Sequence, residues 1–266
     1  MSSLPGETYL AASVKVPDGM CAVDGIANFG WAERVKLARG EQPREDWGGY
    51  RALREAGITC VLSLREGEER ENVVAGRPFP AYKAAEEGAA CRTHGLRFRH
   101  IPLRDRAIPA PETLAAALGA IEAEVAAGQV VYIHCMAGIG RTGLVAALWL
   151  LARGAGGDAA CRHFVDYWLE FGPREDALVG PLPDPILERY GFPLQWWALL
   201  RLAELFARPA TGVFDGARPQ APDDAVEWEA GCRRCLAAWR DEAGADLCAC
   251  PRVPAPVSAP CLSPCP

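Results

Sequence analysis

The sequence predicts an α/β fold in which a mostly parallel sheet of four to five strands is flanked by helices and followed by a helical and disordered C-terminal extension. Two observations predict it. Helical and strand-like segments alternate along the first 152 residues, an order typical of a sheet layered between helices. The most apolar strand-like segments are continuous runs, the pattern of strands that are covered on both faces.

The first helix and strand are predicted between residues 44 and 64. A helix between Arg44 and Gly57 ends where Gly57 supplies the left-handed residue that commonly follows a helix. The apolar, β-branched segment 58–64 follows as a buried strand. Residues 66–71 are mostly acidic, and we expect them to form a solvated loop.

The next elements lead toward the middle of the chain. A helix is predicted over residues 82–91, and residues 96–103 alternate like a half-exposed strand. The best-defined helix has Pro111 in its first turn, where proline is favoured, and Gly128 at its end.

A short buried strand over 130–133 and a strongly apolar helix over 144–152 complete the predicted α/β unit, and we assign a further helix over 194–207 to the same unit. The predicted organisation is a lead-in over 1–19, a folded domain over 20–208, a linker over 209–222, a Cys-containing helical segment over 223–250 and a Pro-rich disordered tail over 251–266.

Composition excludes several classes of protein. The chain has 266 residues, a net charge of -6 and 50% hydrophobic residues, values that are typical of globular proteins and not of disordered chains. The mild acidity gives no indication of a nucleic-acid partner. No apolar run approaches the ~18 residues of a membrane-spanning helix, and the N-terminus lacks the pattern of a signal peptide. We therefore expect a cytoplasmic protein with no membrane or nucleic-acid partner.

The segment 130–143 contains the residues most suited to chemistry. A strand delivers Cys135 into a loop with two glycines, and Arg141 stands where the next helix begins. Glycines let successive backbone N–H groups point into one concavity, and the helix N-terminus adds its positive end. This pattern predicts an anion cradle, whose lining residues are Met136, Ala137, Gly138, Ile139, Gly140 and Arg141.

Cys135 is the candidate nucleophile of this cradle, because the surrounding amides and a nearby guanidinium favour the thiolate form of a cysteine. Arg141 can grip two oxygens of a phosphate dianion. Thr142 can donate a hydrogen bond to the thiolate or to the leaving sulfur. We expect His134 to shape the loop through backbone hydrogen bonds and not to act as the base.

Cleavage of a phosphate ester also requires a proton for the leaving oxygen. Asp105 is the only aspartate between Asp46 and Asp158, and it follows the predicted strand 96–103. The end of a strand next to the nucleophile's strand is a suitable place for such an acid, so Asp105 is the candidate.

Residues 134–143, His-Cys-Met-Ala-Gly-Ile-Gly-Arg-Thr-Gly, resemble the H-C-x-x-G-x-x-R-[ST]-G signature of the cysteine-based protein tyrosine and dual-specificity phosphatases. Residues 101–106 resemble the general-acid loop of that family, and a weaker similarity extends over residues 20–172. The resemblance implies a dual-specificity phosphatase-like sheet, a mechanism without metal or cofactor, and a phosphocysteine intermediate. Cys135 would attack phosphorus, and Asp105 would act first as acid and then as base. Arg141 and the loop amides would hold the transferring group in line.

The resemblance favours a compact, dual-specificity-like member of the kind found in bacteria, because only 134 residues precede the nucleophile. The implied substrate is a phosphorylated protein that carries phosphotyrosine, with phosphoserine and phosphothreonine as further candidates. The cradle contains no lysine, which disfavours polyphosphorylated lipids. Arg104 and Arg106 beside the acid keep a small phosphomonoester, such as an inositol phosphate or a nucleotide, as an alternative. A phosphate-binding module without turnover is a second alternative.

Four of the eleven cysteines suggest a metal site. Cys232, Cys235, Cys248 and Cys250 have a spacing that could close a tetrahedral zinc site, although the second pair is unusually tight. We expect free thiols in a poorly ordered segment and no bound metal.

Cys60 and Cys161 suggest a second hypothesis, a reversible disulfide with Cys135 that would protect the catalytic thiolate from over-oxidation. We favour a packing role in the core for both.

Overall fold

The structure of the chain is a computed structural model that describes residue 26 and residues 29–74, 77–161, 193–207 and 221–242. The predicted lead-in and tail, most of the predicted linker, and Cys248 and Cys250 lie outside the described residues. The strands are β1 (Gly30–Glu33), β2 (Leu37–Gly40), β3 (Cys60–Ser63), β4 (Glu68–Glu69), β5 (Asn72–Val74), β6 (Arg77–Phe79), β7 (Tyr82–Lys83), β8 (Arg97–His100) and β9 (Val131–His134). The helices are α1 (Gly49–Glu55), α2 (Ala84–Thr93), α3 (Pro111–Ala126), α4 (Gly140–Ala152), α5 (Pro193–Leu205) and α6 (Ala225–Glu242).

A five-stranded sheet with the strand order β1-β2-β9-β3-β8 forms the centre of the fold. β2, β9, β3 and β8 are parallel, and β1 joins one edge in the antiparallel direction. His134 at the end of the middle strand pairs with Gly40 on one side and with Ser63 on the other. The prediction of a mostly parallel sheet flanked by helices is confirmed, and the carboxyl ends of its three central strands lie level at one edge.

The two faces of this sheet pack against different helices. Leu62 and Ile133 belong to the larger core cluster, which includes buried residues of α3, α4, α5 and α6. Val61 and Tyr132 belong to the smaller cluster, which includes buried residues of α1 and α2. Because successive residues of a pleated strand point to opposite faces, cover on both sides explains why the central strands are continuously apolar.

Three predicted helices have different bounds in the structure. The helix predicted between Arg44 and Gly57 is a 3-10 helix over Glu45–Trp47 followed by α1, which begins at Gly49. The helix predicted over 82–91 begins at Ala84, because the two preceding residues form β7 and pair with β4. The apolar helix predicted over 144–152 begins earlier, at Gly140, next to Arg141, where the pattern of segment 130–143 placed a helix start. The apolar pattern starts only at Leu144, whereas the first turn contains polar side chains that are nevertheless buried.

The C-terminal helix α6 packs along α3. Its buried side chains are Trp228, Cys232, Leu236 and Trp239. A Cβ atom on Gly231 would lie 2.8 Å from Cγ of Pro111, so the backbone of α6 approaches the first turn of α3 very closely. The domain boundaries at residues 208 and 223 stay predictions, but α6 itself lies against the α/β unit.

None of the helices in the described ranges is both long and apolar enough to span a bilayer. Within the same ranges, no group of three or more His, Cys, Asp or Glu side chains is placed to hold a metal ion. Cys232 packs in the core, and Sγ of Cys235 lies 3.7 Å from Oε1 of Glu112. The zinc alternative depends on Cys248 and Cys250, which are not among the described residues.

The parallel pairing of β3 and β9 excludes a disulfide between Cys60 and Cys135. Cys60 pairs with Val131, at the opposite end of the strand from Cys135. Four residues of strand span about 13 Å, whereas the Cα atoms of a disulfide lie within about 7 Å of each other. Cys60 is fully buried in the apolar core, as is Cys161, which fits a packing role for both.

Candidate active site

Cys135 lies where the middle strand of the sheet ends. It directly follows β9, and residues 135–140, which we name the cradle loop, connect that strand to α4. Cys135 is 4% exposed, so its side chain lies below the protein surface. The N-terminus of α4 adds a positive partial charge and backbone N–H groups without intrahelical partners to this loop. These are features of an anion-binding site.

Three carbonyl groups of the cradle loop are fixed by hydrogen bonds from the surrounding protein. Nδ1 of His134 donates to the Cys135 carbonyl at 2.9 Å, and the backbone N–H of Gln42 donates to the Met136 carbonyl at 3.0 Å. Nη2 of Arg39 donates to the Gly138 carbonyl. In a trans peptide, a carbonyl and the N–H of the next residue point in opposite directions. The N–H groups that follow these carbonyls therefore point away from the donors, as N–H groups that line an anion cradle would.

Gly138 allows the cradle loop to lie directly against the end of β2. Its φ is +74°, in the left-handed region that favours glycine. A Cβ atom at this position would lie 2.3 Å from the carbonyl carbon of Gly40 and 2.5 Å from the backbone nitrogen of Glu41. No other residue fits there without moving one of the two backbones.

Arg141 is almost completely buried, at 1% exposure. Its Nη1 donates to Oε1 of Glu69 at 2.6 Å and to the carbonyl of Leu103 at 3.2 Å, and its Nε lies 3.3 Å from Oδ1 of Asp105. Burial lowers the pKa of Arg141, but its electrostatic interactions with Cys135, Glu69 and Asp105 outweigh burial and raise that pKa above its ordinary value. Arg141 is therefore a permanent positive charge beside the candidate nucleophile.

Glu69 is a residue of the site that sequence reasoning missed. The prediction that residues 66–71 form a solvated loop is wrong for Glu69, which lies in β4 and whose side chain is 9% exposed. Oε2 of Glu69 accepts a hydrogen bond from Nε of Arg65 at 2.9 Å, so the carboxylate lies between Arg65 and Arg141. Burial raises the pKa of Glu69, but the two arginines outweigh it and hold that pKa below its ordinary value. The one local signal was Arg65, four residues earlier in the sequence.

Asp105 lies in the connection between β8 and α3, residues 101–110, which we name the acid loop. Its side chain is 35% exposed, and one carboxylate oxygen faces Arg141 as described above. Its backbone N–H donates to Oε2 of Glu66 at 3.3 Å. The structure thus brings Asp105 and Arg141 together beside the cradle loop and leaves part of the carboxylate open to solvent.

A buried ionic network lies behind the cradle loop and centres on Glu87 of α2. Oε1 of Glu87 is 2.9 Å from Nε2 of His134, and both side chains are at most 1% exposed. The hydroxyl of Tyr82 donates to Oε2 of Glu87 at 2.8 Å. Burial raises the pKa of Glu87, but the charge of His134 and these hydrogen bonds outweigh it and lower that pKa.

Both ring nitrogens of His134 lie near oxygen atoms: Nδ1 near the carbonyl of Cys135 and Nε2 near the carboxylate of Glu87. Glu87 thereby anchors the ring that holds the Cys135 carbonyl. Glu87 could not be recognised from the sequence, because it resembles any acidic residue of an exposed helix.

The remaining predicted site residues differ in exposure. Thr142 is fully buried, and its hydroxyl has no hydrogen-bond partner among the residues that the structure describes. Such a hydroxyl is able to donate to a bound group. Arg104 and Arg106 are exposed on the acid loop, and Arg106 has a φ of +55°. The buried apolar side chains of the cradle loop are Met136, Ala137 and Ile139.

Solved structures of phosphatases resemble this chain at low sequence identity. A putative phosphatase (DUF442) from Shewanella putrefaciens CN-32 is 19% identical with a TM-score of 0.47, over 68% of this chain and 91% of that one. TpbA from P. aeruginosa is 18% identical with a TM-score of 0.47, over 73% of this chain and 99% of that one. The core catalytic domain of a PP-IP phosphatase from S. cerevisiae is 19% identical with a TM-score of 0.44, over 59% of this chain and 83% of that one.

The sequence itself matches one family model. Residues 38–155 match the family described as "Polymorphic toxin system, DSP-PTPase phosphatase". A comparison with curated proteins gives no significant match. The matched stretch runs from β2 to just beyond α4, so it contains Glu69, Asp105, Cys135 and Arg141.

Proposed function

Because residues 38–155 form a domain of the cysteine-based protein tyrosine and dual-specificity phosphatase superfamily, we propose that the chain hydrolyses phosphomonoesters through a phosphocysteine at Cys135. In this proposal Asp105 is the acid and base, Arg141 is the phosphate clamp, and Thr142 donates a hydrogen bond to the sulfur. The substrate is a phosphorylated protein that carries phosphotyrosine, with phosphoserine and phosphothreonine as further substrates.

One observation carries the proposal: the guanidinium of Arg141 stands next to the Asp105 carboxylate and follows a loop whose carbonyls are turned away by their donors. Such a site offers fixed positive charge and N–H donors to the equatorial oxygens of a transferring phosphoryl group. It also provides a carboxyl group within reach of the leaving oxygen.

In the first step, the Cys135 thiolate attacks phosphorus and forms the S–P bond while the bond from phosphorus to the ester oxygen breaks. Asp105 in its acid form gives its proton to that oxygen, so the alcohol leaves uncharged. Arg141 and the cradle-loop amides hold the three remaining oxygens.

In the second step, a water molecule attacks the phosphocysteine. The Asp105 carboxylate, left by the first step, takes a proton from this water as its oxygen bonds to phosphorus. The S–P bond breaks, the Cys135 thiolate is restored, and inorganic phosphate leaves. Thr142 supports this step by donating a hydrogen bond to the departing sulfur.

Burial of the site supports an aryl ester as the substrate. Cys135 is 4% exposed and Arg141 is 1% exposed, which favours a phosphate carried below the surface by a long, flat side chain such as that of phosphotyrosine. Two further buried arginines, Arg39 and Arg65, are engaged with the Gly138 carbonyl and with Glu69. The cradle thus suits one phosphate group, not a polyphosphorylated ligand.

The test compares release of phosphate from a phosphotyrosyl peptide, a phosphoseryl peptide, an inositol phosphate and a nucleoside monophosphate. We expect turnover that prefers the phosphotyrosyl peptide, persists in EDTA and is inhibited by vanadate. Cys135→Ser should abolish it, and Asp105→Asn should lower kcat by about a hundredfold or more. Cys235→Ser and Asp46→Asn are matched controls, because both residues lie outside the site and should leave the rates unchanged.

Two results would replace this proposal. Preferred hydrolysis of the inositol phosphate or the nucleotide would make the chain a small-molecule phosphatase with the same chemistry. Vanadate binding by a reduced wild-type protein that turns over none of the four substrates would make it a phosphate-binding module.

A further inference from the structure

We propose that the C-terminal helix α6 positions the acid loop, and that Trp228 is the positioning residue that links the two. The inference rests on the proposed function, because it concerns how Asp105 is held in place to deliver its proton. It assigns a role to a helix that lies beyond the matched stretch 38–155.

Trp228 ties α6 to the end of the acid loop. Its indole N–H donates to the carbonyl of Pro109 at 2.8 Å, in a buried contact between residues 119 positions apart in the sequence. Trp228 is 6% exposed and packs against Trp197 of α5, with 5.3 Å between the ring centroids. Indole has one donor group, so this hydrogen bond fixes the direction in which the ring meets the loop.

Close packing fixes the position of α6 along α3. Gly231 lies one turn after Trp228 and brings the α6 backbone against Pro111, where a side chain of even one carbon would collide. Farther along, Trp239 approaches Gly119 of α3. Because the helices meet in this way at two levels, α6 cannot slide along α3 without losing contacts at both.

The other end of the acid loop is tied to the candidate site. The N–H of Leu103 donates to the carbonyl of Leu64 at 3.1 Å, and the carbonyl of Leu103 accepts from Arg141 at 3.2 Å. Asp105 follows two residues later, and the second tie, at Pro109, comes four residues after it. Asp105 therefore lies on a short span between two anchors, one in the phosphatase domain and one on α6.

The backbone between these anchors has an unusual conformation. Arg106 has a φ of +55°, a left-handed value that is unfavourable for a residue with a side chain. Such a conformation persists when the flanking structure holds it. Release of Pro109 is therefore expected to let the loop relax and move the Asp105 carboxylate away from the leaving oxygen.

The experiment uses the full-length chain with Trp228→Phe, which keeps an aromatic ring in the packing and removes the indole donor. Rates are measured for a series of aryl phosphates from 2,4-dinitrophenyl phosphate to phenyl phosphate. The phenolate leaving group has a pKa of about 10, as tyrosine has, and needs a proton, whereas dinitrophenolate leaves without one. We expect kcat/KM to fall about tenfold for phenyl phosphate and less than about twofold for the dinitrophenyl ester.

Two further variants keep the test decisive if Trp228→Phe folds poorly. Gly231→Ala retains the indole but pushes α6 away from Pro111, and it should give the same steeper dependence on the leaving group. Val226 lies on the same helix and is 82% exposed, so Val226→Ser should match the wild type in kcat/KM for every ester.

Asp105→Asn provides the benchmark that separates the two proposals. If kcat/KM of Asp105→Asn depends on the leaving group no more steeply than that of the wild type, the proposed function fails. The other informative result has a steeper dependence in Asp105→Asn, while Trp228→Phe and Gly231→Ala either match the wild type or lose rate equally for every ester. In that case α6 is merely structural, and the inference is overturned.

Discussion

Glu69→Gln tests whether the carboxylate between Arg65 and Arg141 holds Arg141, the proposed phosphate clamp, in place. The two guanidinium groups are 0% and 1% exposed, and the substitution keeps one acceptor oxygen while it removes the charge. At an effective dielectric constant of about 20, the 2.6 Å contact with Arg141 has a Coulomb attraction of about 6 kcal/mol before desolvation. Loss of one partner of a buried pair destabilises a protein by about 3–5 kcal/mol. We expect the lower end, about 3 kcal/mol, because Asp105 remains beside Arg141.

The assay is thermal unfolding, followed by vanadate binding. A loss of about 3 kcal/mol in a chain of this size lowers the melting temperature by roughly 6–12 °C. The matched control is Glu68→Gln, which removes the same charge from an exposed position of the same strand and should melt like the wild type. Weaker vanadate binding by Glu69→Gln would accompany the loss of stability, since Arg141 is no longer held on that side.

We also expect Glu69→Gln to change the way in which folding stability depends on pH. The folded-state pKa of Glu69 lies below its ordinary value of 4.5. Its contribution to stability is therefore present above the unfolded pKa and is lost as the pH falls through the folded pKa. The stability difference between wild type and Glu69→Gln should be large at pH 7 and should narrow in acid. Equal melting temperatures for Glu69→Gln and Glu68→Gln at pH 7, or a gap that widens in acid, would refute the reasoning.

Two further substitutions have matched controls. Gly138→Ala should weaken vanadate binding at least about tenfold, because its Cβ meets the end of β2. Gly128 has a similar φ, but a Cβ there would have nothing within 4 Å. Gly128→Ala should therefore lower the free energy of unfolding by only about 1–2 kcal/mol and leave vanadate binding intact. Comparable vanadate affinities in the two variants would contradict the role given to that contact. Glu87→Gln removes the buried carboxylate that lies 2.9 Å from Nε2 of His134, and it should lower the urea midpoint by the equivalent of about 3 kcal/mol. The exposed Glu86→Gln should not lower it. A shift no larger than that of Glu86→Gln would argue against a stabilising role for the contact between Glu87 and His134.

The parts of the fold that could be predicted are those with a local pattern. The buried strands follow from continuous apolar runs, and α3 follows from its period, Pro111 and Gly128. The cradle loop was also predictable, because a strand, a cysteine, two glycines and an arginine follow one another within eleven residues of chain.

The partners of the cradle loop could not be predicted, because they come from distant positions. Glu69 meets Arg141 across 72 residues, and Arg39 reaches Gly138 across 99. An acidic stretch gives no sign of which of its carboxylates will be buried, and a short strand such as β4 exists only through its pairing with β7. The packing of α6 on α3 likewise depends on a close approach at Gly231 that no periodic pattern encodes.

The hydrogen bonds to the cradle-loop carbonyls also bear on the thermodynamics of anion capture. Donors from Arg39, Gln42 and His134 set the loop's shape through contacts within the protein. Fixing a flexible backbone costs about 1–2 kcal/mol per residue, a penalty that falls on binding whenever a ligand must order its own site. A preorganised loop moves that penalty into folding. The association rate of an oxyanion is then set by diffusion and by the exchange of water for N–H groups. Strong and weak ligands differ more in their dissociation rates than in their association rates.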